Sequence, residues 1–89
     1  MFVVWSPEAR HDLWQILDFI SDKNPIAAFT LFSDIESATT NLVQNPYLYK
    51  LGRVTGTREI IVHPNYIVVY RVLDSIEILS VLHARQQYP

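Results

Sequence analysis

The residues best suited to chemistry lie in the second half of the chain. Arg53 and Arg58 flank Gly56, Arg71 stands between apolar neighbours, and His83 and Arg85 precede Tyr88. A guanidinium grips a phosphate or carboxylate in a planar fork, while an imidazole or phenol can carry a proton. Arg58, His83, Arg85 and a tyrosine are thus the candidates for a metal-free cleavage of RNA. Arg53, Arg58, Arg71 and Arg85 are the candidates for gripping an anionic target. Three cations make a thin array for stabilising a charged transition state, so these residues favour binding over catalysis. Period-two alternation predicts that Glu77, Leu79, Val81, His83 and Arg85 share one strand face. A plainer reading stands beside this one: Arg71 pairs with Glu59 or Glu77 across a sheet, and His83 is a satisfied sheet-edge histidine.

Other chemistries find little support. The chain has no cysteine, which excludes disulfides, thiolate catalysis and Cys-based zinc sites. His11, His63 and His83 are dispersed without metal-ligand spacing, and no metal or cofactor is expected. Glu8 with Asp12 and Asp18 with Asp22 share helix faces at i,i+4, where they read as solvated surface rather than acid–base pairs. Gly52 and Gly56 precede a strand rather than a helix, so they serve turn geometry and not a phosphate loop.

The elements that must position these side chains follow from pattern. Phe2 to Trp5 reads as a strand. Ser6-Pro7 and Asn24-Pro25 each place a capping side chain before a proline at the first helical position. Ala9, Leu13, Ile16, Leu17 and Ile20 then form one helical stripe, and Ala28, Leu31, Phe32, Ile35, Ala38 and Leu42 a second. Phe29 lies at the edge of the second stripe. So short a linker folds the helices into an antiparallel hairpin. Residues 44–57 look irregular, and three strands follow: Glu59 to His63, Tyr66 to Val72, and Ile76 to about Ala84. The expected fold is α+β, in the order β-α-α-β-β-β, with a helical hairpin on one face of a small, mainly antiparallel sheet. The first strand is expected beside the last, its direction left open.

At 89 residues with 49% hydrophobic content, the chain is expected to form one domain, 1–89, with one core. No stretch reads as a signal peptide or membrane span, so a cytoplasmic location without membrane partners is expected. Net charge is −2, an average that hides a split. Residues 1–49 carry Arg10 and Lys23 against six carboxylates, whereas residues 50–89 hold five of the seven cations against three carboxylates.

The order of motifs resembles the RelE/ParE superfamily of bacterial toxins. The resemblance begins with Trp5-Ser6-Pro7-Glu8-Ala9-Arg10 and Asn24-Pro25 with Ala28. It is sharpest in Gly52-Arg53-Val54, Gly56-Thr57-Arg58-Glu59, His63-Pro64-Asn65-Tyr66 and Tyr70-Arg71-Val72. It ends in Val81-Leu82-His83-Ala84-Arg85-Gln86 and a terminal aromatic-proline, and it is nearest the ParE-like, plasmid-stabilisation branch. The resemblance implies the toxin of a type II toxin–antitoxin module, neutralised by a cognate antitoxin. That antitoxin would lie over the helical hairpin, with Phe29 as an aromatic contact and Phe32 more deeply set in the stripe. Operator DNA would be met only indirectly, through the antitoxin. ParE-like members bind DNA gyrase and leave it stalled on cleaved DNA. RelE-like members instead cut mRNA on the ribosome, a role for which Arg58, His83, Arg85 and Tyr88 stand near the family's catalytic positions. Of the loop lysines characteristic of RelE-like members this chain has Lys50 alone, a departure from that pattern. A non-toxic domain that only binds its antitoxin is a third reading.

Overall fold

The computed structural model describes residues 1–86 and 88; Gln87 and Pro89, the latter part of the terminal aromatic-proline, lie outside the described residues. The order is β1 (Val3–Trp5), α1 (Pro7–Ser21), α2 (Pro25–Asn41), β2 (Lys50–Leu51), β3 (Arg58–His63), β4 (Tyr66–Val72) and β5 (Ile76–His83). The strands form one sheet in the order β1-β5-β4-β3-β2. β1 runs parallel to β5, and the other pairs are antiparallel. The expected α+β architecture is present, with β2 added as a short edge strand inside the segment that reads as irregular.

Local chemistry places both helices. The Ser6 hydroxyl accepts the Ala9 N–H at 3.0 Å, and the Asn24 side chain accepts the Ala27 N–H at 3.1 Å. Each satisfies one of the donors that a helix start leaves without a partner. Ala9, Leu31, Ile35 and Leu42 pack with Ile60, Val68, Tyr70, Ile76, Ile78 and Val81 in one core between the hairpin and one sheet face. Burying a side chain of the size of Ile76 or Ile78 contributes roughly 1.5–3 kcal/mol.

The α2 stripe differs from the pattern at one position. Thr39 is buried, while Phe32 remains 39% exposed. Residues 28, 31, 35, 39 and 42 follow the inward face, and Phe32 stands about 100° round from Leu31. A threonine is tolerated there because its hydroxyl donates to the Ile35 carbonyl oxygen at 2.9 Å.

β5 contains the feature that alternation misses. Tyr70 faces Ile78 and Val69 faces Ser80, so Leu79 is an extra residue and the strand bulges. Glu77 therefore shares a face with Arg71 and Val69. Val81 and His83, beyond the bulge, turn to the helix face. The expected row of Glu77, Val81 and His83 on one face is broken for this reason.

β1 covers β5 only from Ile76 to Ile78. Past that point α1 supplies partners for the exposed β5 backbone. Ser6 Oγ donates to the Leu79 carbonyl at 3.1 Å, and the Val81 N–H donates to Asp12 Oδ2 at 3.1 Å. Asp12 is thus a tie between helix and sheet, not the solvated carboxylate that its spacing suggests. Among the described residues no helix is long and apolar enough to cross a membrane.

Candidate functional site

The hairpin covers one face of the sheet and leaves the other open. On the open face Ile67, Val69 and Leu82 form a small apolar cluster, against which Ala84 and Tyr88 pack. The segment after β5 therefore folds back over the sheet. Glu59, one residue along β3 from Arg58 and opposite Val69, points to the same face and is 2% exposed.

A buried carboxylate needs partners, and Glu59 has four. Its Oε2 accepts the Tyr88 hydroxyl and the Arg53 backbone N–H, the latter at 3.0 Å. Arg53 Nε lies 3.8 Å from Oε2, and Lys50 Nζ lies 3.8 Å from Oε1. The Arg53 guanidinium also stands over the Tyr88 ring, 4.8 Å from its centroid, and donates to the Gln86 carbonyl at 3.4 Å. Burial works against the Glu59 charge, yet the Tyr88 and Arg53 hydrogen bonds and the Arg53 and Lys50 charges prevail. Its pKa lies below the ordinary 4.5. Burial, together with the hydrogen bond to Glu59 and its negative charge, pushes the Tyr88 phenol up to about 12.

The loop that delivers Arg53 is a glycine construction. Gly52 donates its N–H to the Thr57 carbonyl, and the Thr57 N–H closes a turn on the Val54 carbonyl. Gly56, third in that turn, has φ +84°. A Cβ on Gly52 would collide with Thr57 Oγ1, so a larger residue must push that hydroxyl off its hydrogen bond to the Val54 carbonyl.

The other candidates are dispersed. Arg71 and Glu77, opposite each other on β4 and β5, pair on the open face at 2.6 Å, realising one of the two pairings expected for Arg71. Arg58 faces Tyr70 on the helix side. Its guanidinium donates to the Tyr49 carbonyl at 2.7 Å and the Tyr47 carbonyl at 3.2 Å. The buried Tyr70 hydroxyl donates to the Pro46 carbonyl at 2.7 Å, and burial raises its pKa against the nearby Arg58 charge. Arg58 and Tyr70 thereby pin the connection between α2 and β2. His83 stands edge-on to Tyr66 at 5.4 Å, also on the helix face, and its Nδ1 accepts the Arg85 N–H at 3.2 Å. The Arg85 side chain is exposed in the turn after β5. Among the described residues no group of three His, Cys, Asp or Glu is placed to hold a metal.

Two members of the open-face cluster, Glu59 and Lys50, go unmarked as site residues in the sequence. Their signal is the cross-strand pair Lys50↔Glu59, which becomes visible only once β2 is recognised as a strand.

A second surface lies on the opposite side. Trp5, Leu13, Trp14, Leu17, Phe32 and Ile35 line a groove of about 450 Å³ along the hairpin. Trp14 is 72% exposed. Phe29 is equally exposed but stands outside this groove.

The family described as the ParE toxin of the type II toxin–antitoxin system parDE matches residues 3–88. Y4kP of Sinorhizobium fredii is 35% identical over 86 residues, covering 96% of this chain and 90% of that protein. Toxin RelE2 of Caulobacter vibrioides is 34% identical, over 92% of this chain and 93% of its own length. Among solved structures, a chain of the chromosomal ParDE system of P. aeruginosa superposes with a TM-score of 0.81. It is 25% identical and covers 93% of this chain and 95% of that one. The match along nearly the whole length, on a sheet and hairpin of the same architecture, makes this chain a member of the ParE toxin family of type II toxin–antitoxin systems.

Proposed function

We propose that this toxin acts in the cytoplasm by binding DNA gyrase through the open face of its sheet, without bond chemistry of its own. One observation carries the reading: the residues that a cleavage mechanism would need are divided between the two faces. Arg58 and His83 belong to the helix side, and Arg58 is committed to loop carbonyls. Tyr88 lies on the open side, with a phenol at about 12 that is poorly matched to proton transfer near neutral pH. The open face nevertheless carries Lys50 and Arg53 around Glu59 and, separately, Arg71 beside Glu77, cations that a binding surface can use. Antitoxin then occupies the hairpin groove on the other side, with Phe32 and Trp14 as its aromatic contacts, while Phe29 stands outside the groove.

Supercoiling by purified gyrase tests this directly. The toxin is expected to inhibit supercoiling and trap cleaved DNA, and Arg53→Ala with Arg71→Ala to weaken both effects. Full supercoiling in the presence of excess wild-type toxin overturns the reading.

The second reading, ribosome-dependent mRNA cleavage, is favoured by the stacked Arg53–Tyr88 pair beside a carboxylate and by the similarity to toxin RelE2. Cuts mapped on translating ribosomes that vanish in Tyr88→Phe and His83→Ala would establish it in place of the first. Absence of growth arrest on induction without the antitoxin would instead favour a non-toxic interaction domain.

A further inference from the structure

We infer that Glu59 is a positioning residue that straps the C-terminal segment across the open face, and so holds Arg53, Lys50 and Tyr88 as one preformed surface. Its consequence for target binding rests on the gyrase reading above.

The geometry places Glu59 at the junction of three otherwise independent pieces. Lys50 comes from the edge strand β2, Arg53 from the glycine-bounded loop, and Tyr88 from the segment after β5. All three meet on the two oxygens of one carboxylate. Each of the three cluster partners has few other anchors. Lys50 and Arg53 have side chains that are 59% and 44% exposed. The Arg53 guanidinium reaches two further partners, the Tyr88 ring and the Gln86 carbonyl, and both belong to the strapped segment itself. Tyr88 in turn rests on Ile67, Val69 and Leu82, a small apolar contact beside its hydrogen bond to Glu59. The Glu59 side chain is the most buried of the group, on a strand paired on both edges, and it is the rigid point to which the others attach. A hydrogen bond from a neutral donor to a buried carboxylate is among the stronger ones available. Without the charge, the strap, the loop arginine and the edge lysine lose their common partner at once.

The experiment compares the full-length toxin with Glu59→Gln and Tyr88→Phe. Gln keeps the size of Glu and removes the charge. Phe keeps the ring packing and removes one hydroxyl at a partly exposed site, so it stays informative should the Gln variant fold poorly. Carbon NMR of tyrosines labelled at Cζ reads the Tyr88 phenol, whose signal is identified by its loss in Tyr88→Phe. Trypsin digestion at Arg85, in the exposed turn after β5, reads the release of the segment that follows it.

In the wild type, Tyr88 is expected to titrate near 12 and digestion to be slow. In Glu59→Gln, Tyr88 should return towards the free phenol value of about 10. In both variants digestion should quicken about tenfold, the effect of losing one hydrogen bond to a charged group. Unchanged digestion in both variants overturns the inference, as does a Tyr88 titration that ignores the Gln substitution. Gyrase inhibition is measured separately on the same samples. Loss of the strap in Glu59→Gln beside a wild type that leaves gyrase untouched upholds the inference and removes the gyrase reading. Loss of the strap with a fall in inhibition upholds both.

Discussion

Asp12 on α1 accepts the backbone N–H of Val81 on β5 at 3.1 Å, across 69 positions of sequence. That N–H lies just beyond the bulge, where β1 no longer covers the strand edge. Asp12→Ala would leave a donor on the buried Val81 without an acceptor, at a cost of about 1–3 kcal/mol. Asp12→Asn retains a side-chain oxygen and should lose less. Urea unfolding with an unchanged slope and a lower midpoint for Asp12→Ala is the expected result. Equal midpoints for both variants and the wild type would assign Asp12 no part in holding the helix to the sheet.

That contact also marks how far the sequence could be read. The caps at Ser6 and Asn24 and the three-strand meander are local patterns, and each appears where the sequence puts it. The Leu79 bulge is not local. Nothing in Ile76–His83 announces an extra residue, because the bulge depends on the register against β4 and on side chains arriving from α1. One residue of slip moves Val81 and His83 to the opposite face from Glu77, and with them the expected site. Glu59 is hidden for the same reason: its partners come from an edge strand of two residues, the loop that follows it and the segment after β5. Tertiary closure created the cluster, and pattern reading has no access to it.

Gly52 and Gly56 should fail differently when changed to alanine. At Gly52 the new methyl collides with Thr57 Oγ1, itself held by a 2.7 Å hydrogen bond to the Val54 carbonyl. The Thr57 hydroxyl must give up that hydrogen bond, which loosens the turn that carries Arg53. At Gly56 nothing lies within 4 Å, and the cost is the positive φ alone, about 1–2 kcal/mol. Gly56→Asn should recover part of that cost, since asparagine tolerates this region. Gly52→Asn should recover none. Thermal unfolding of the four variants separates the two mechanisms, and recovery by asparagine at position 52 would contradict the steric account.

The Glu59–Tyr88 contact makes stability depend on pH at both ends. The Glu59 pKa is lower folded than unfolded, so its contribution is present above about 4.5 and disappears as pH falls through the folded value. The Tyr88 pKa is higher folded than unfolded, so its contribution is complete below about 10 and disappears as pH rises through about 12. Both ends report one hydrogen bond and are not additive. The difference in urea midpoint between wild type and Glu59→Gln should therefore be flat between pH 6 and 9 and shrink below pH 4.5. A difference that grows on acidification would have the opposite sign and refute the lowered pKa.

The groove side offers a clean division between stability and recognition. Trp14 is largely exposed and Phe32 partly so, although both line the groove. Exposed residues of this kind contribute little to folding, within about 0.5 kcal/mol, while aromatic anchors at an interface often cost 2 kcal/mol or more when truncated. Trp14→Ala should therefore leave the urea midpoint almost unchanged and weaken binding of the antitoxin by about thirtyfold. Phe32→Ala should follow with a somewhat larger stability cost. Phe29→Ala, outside the groove, should have a smaller effect on binding than either. Ile35→Ala provides the contrast: the side chain is fully buried, and truncating it should destabilise the toxin by about 2–5 kcal/mol. Titration calorimetry of each variant against the antitoxin, beside its unfolding curve, gives both quantities on the same sample. Wild-type affinity in Trp14→Ala and Phe32→Ala together would move the antitoxin to a different face.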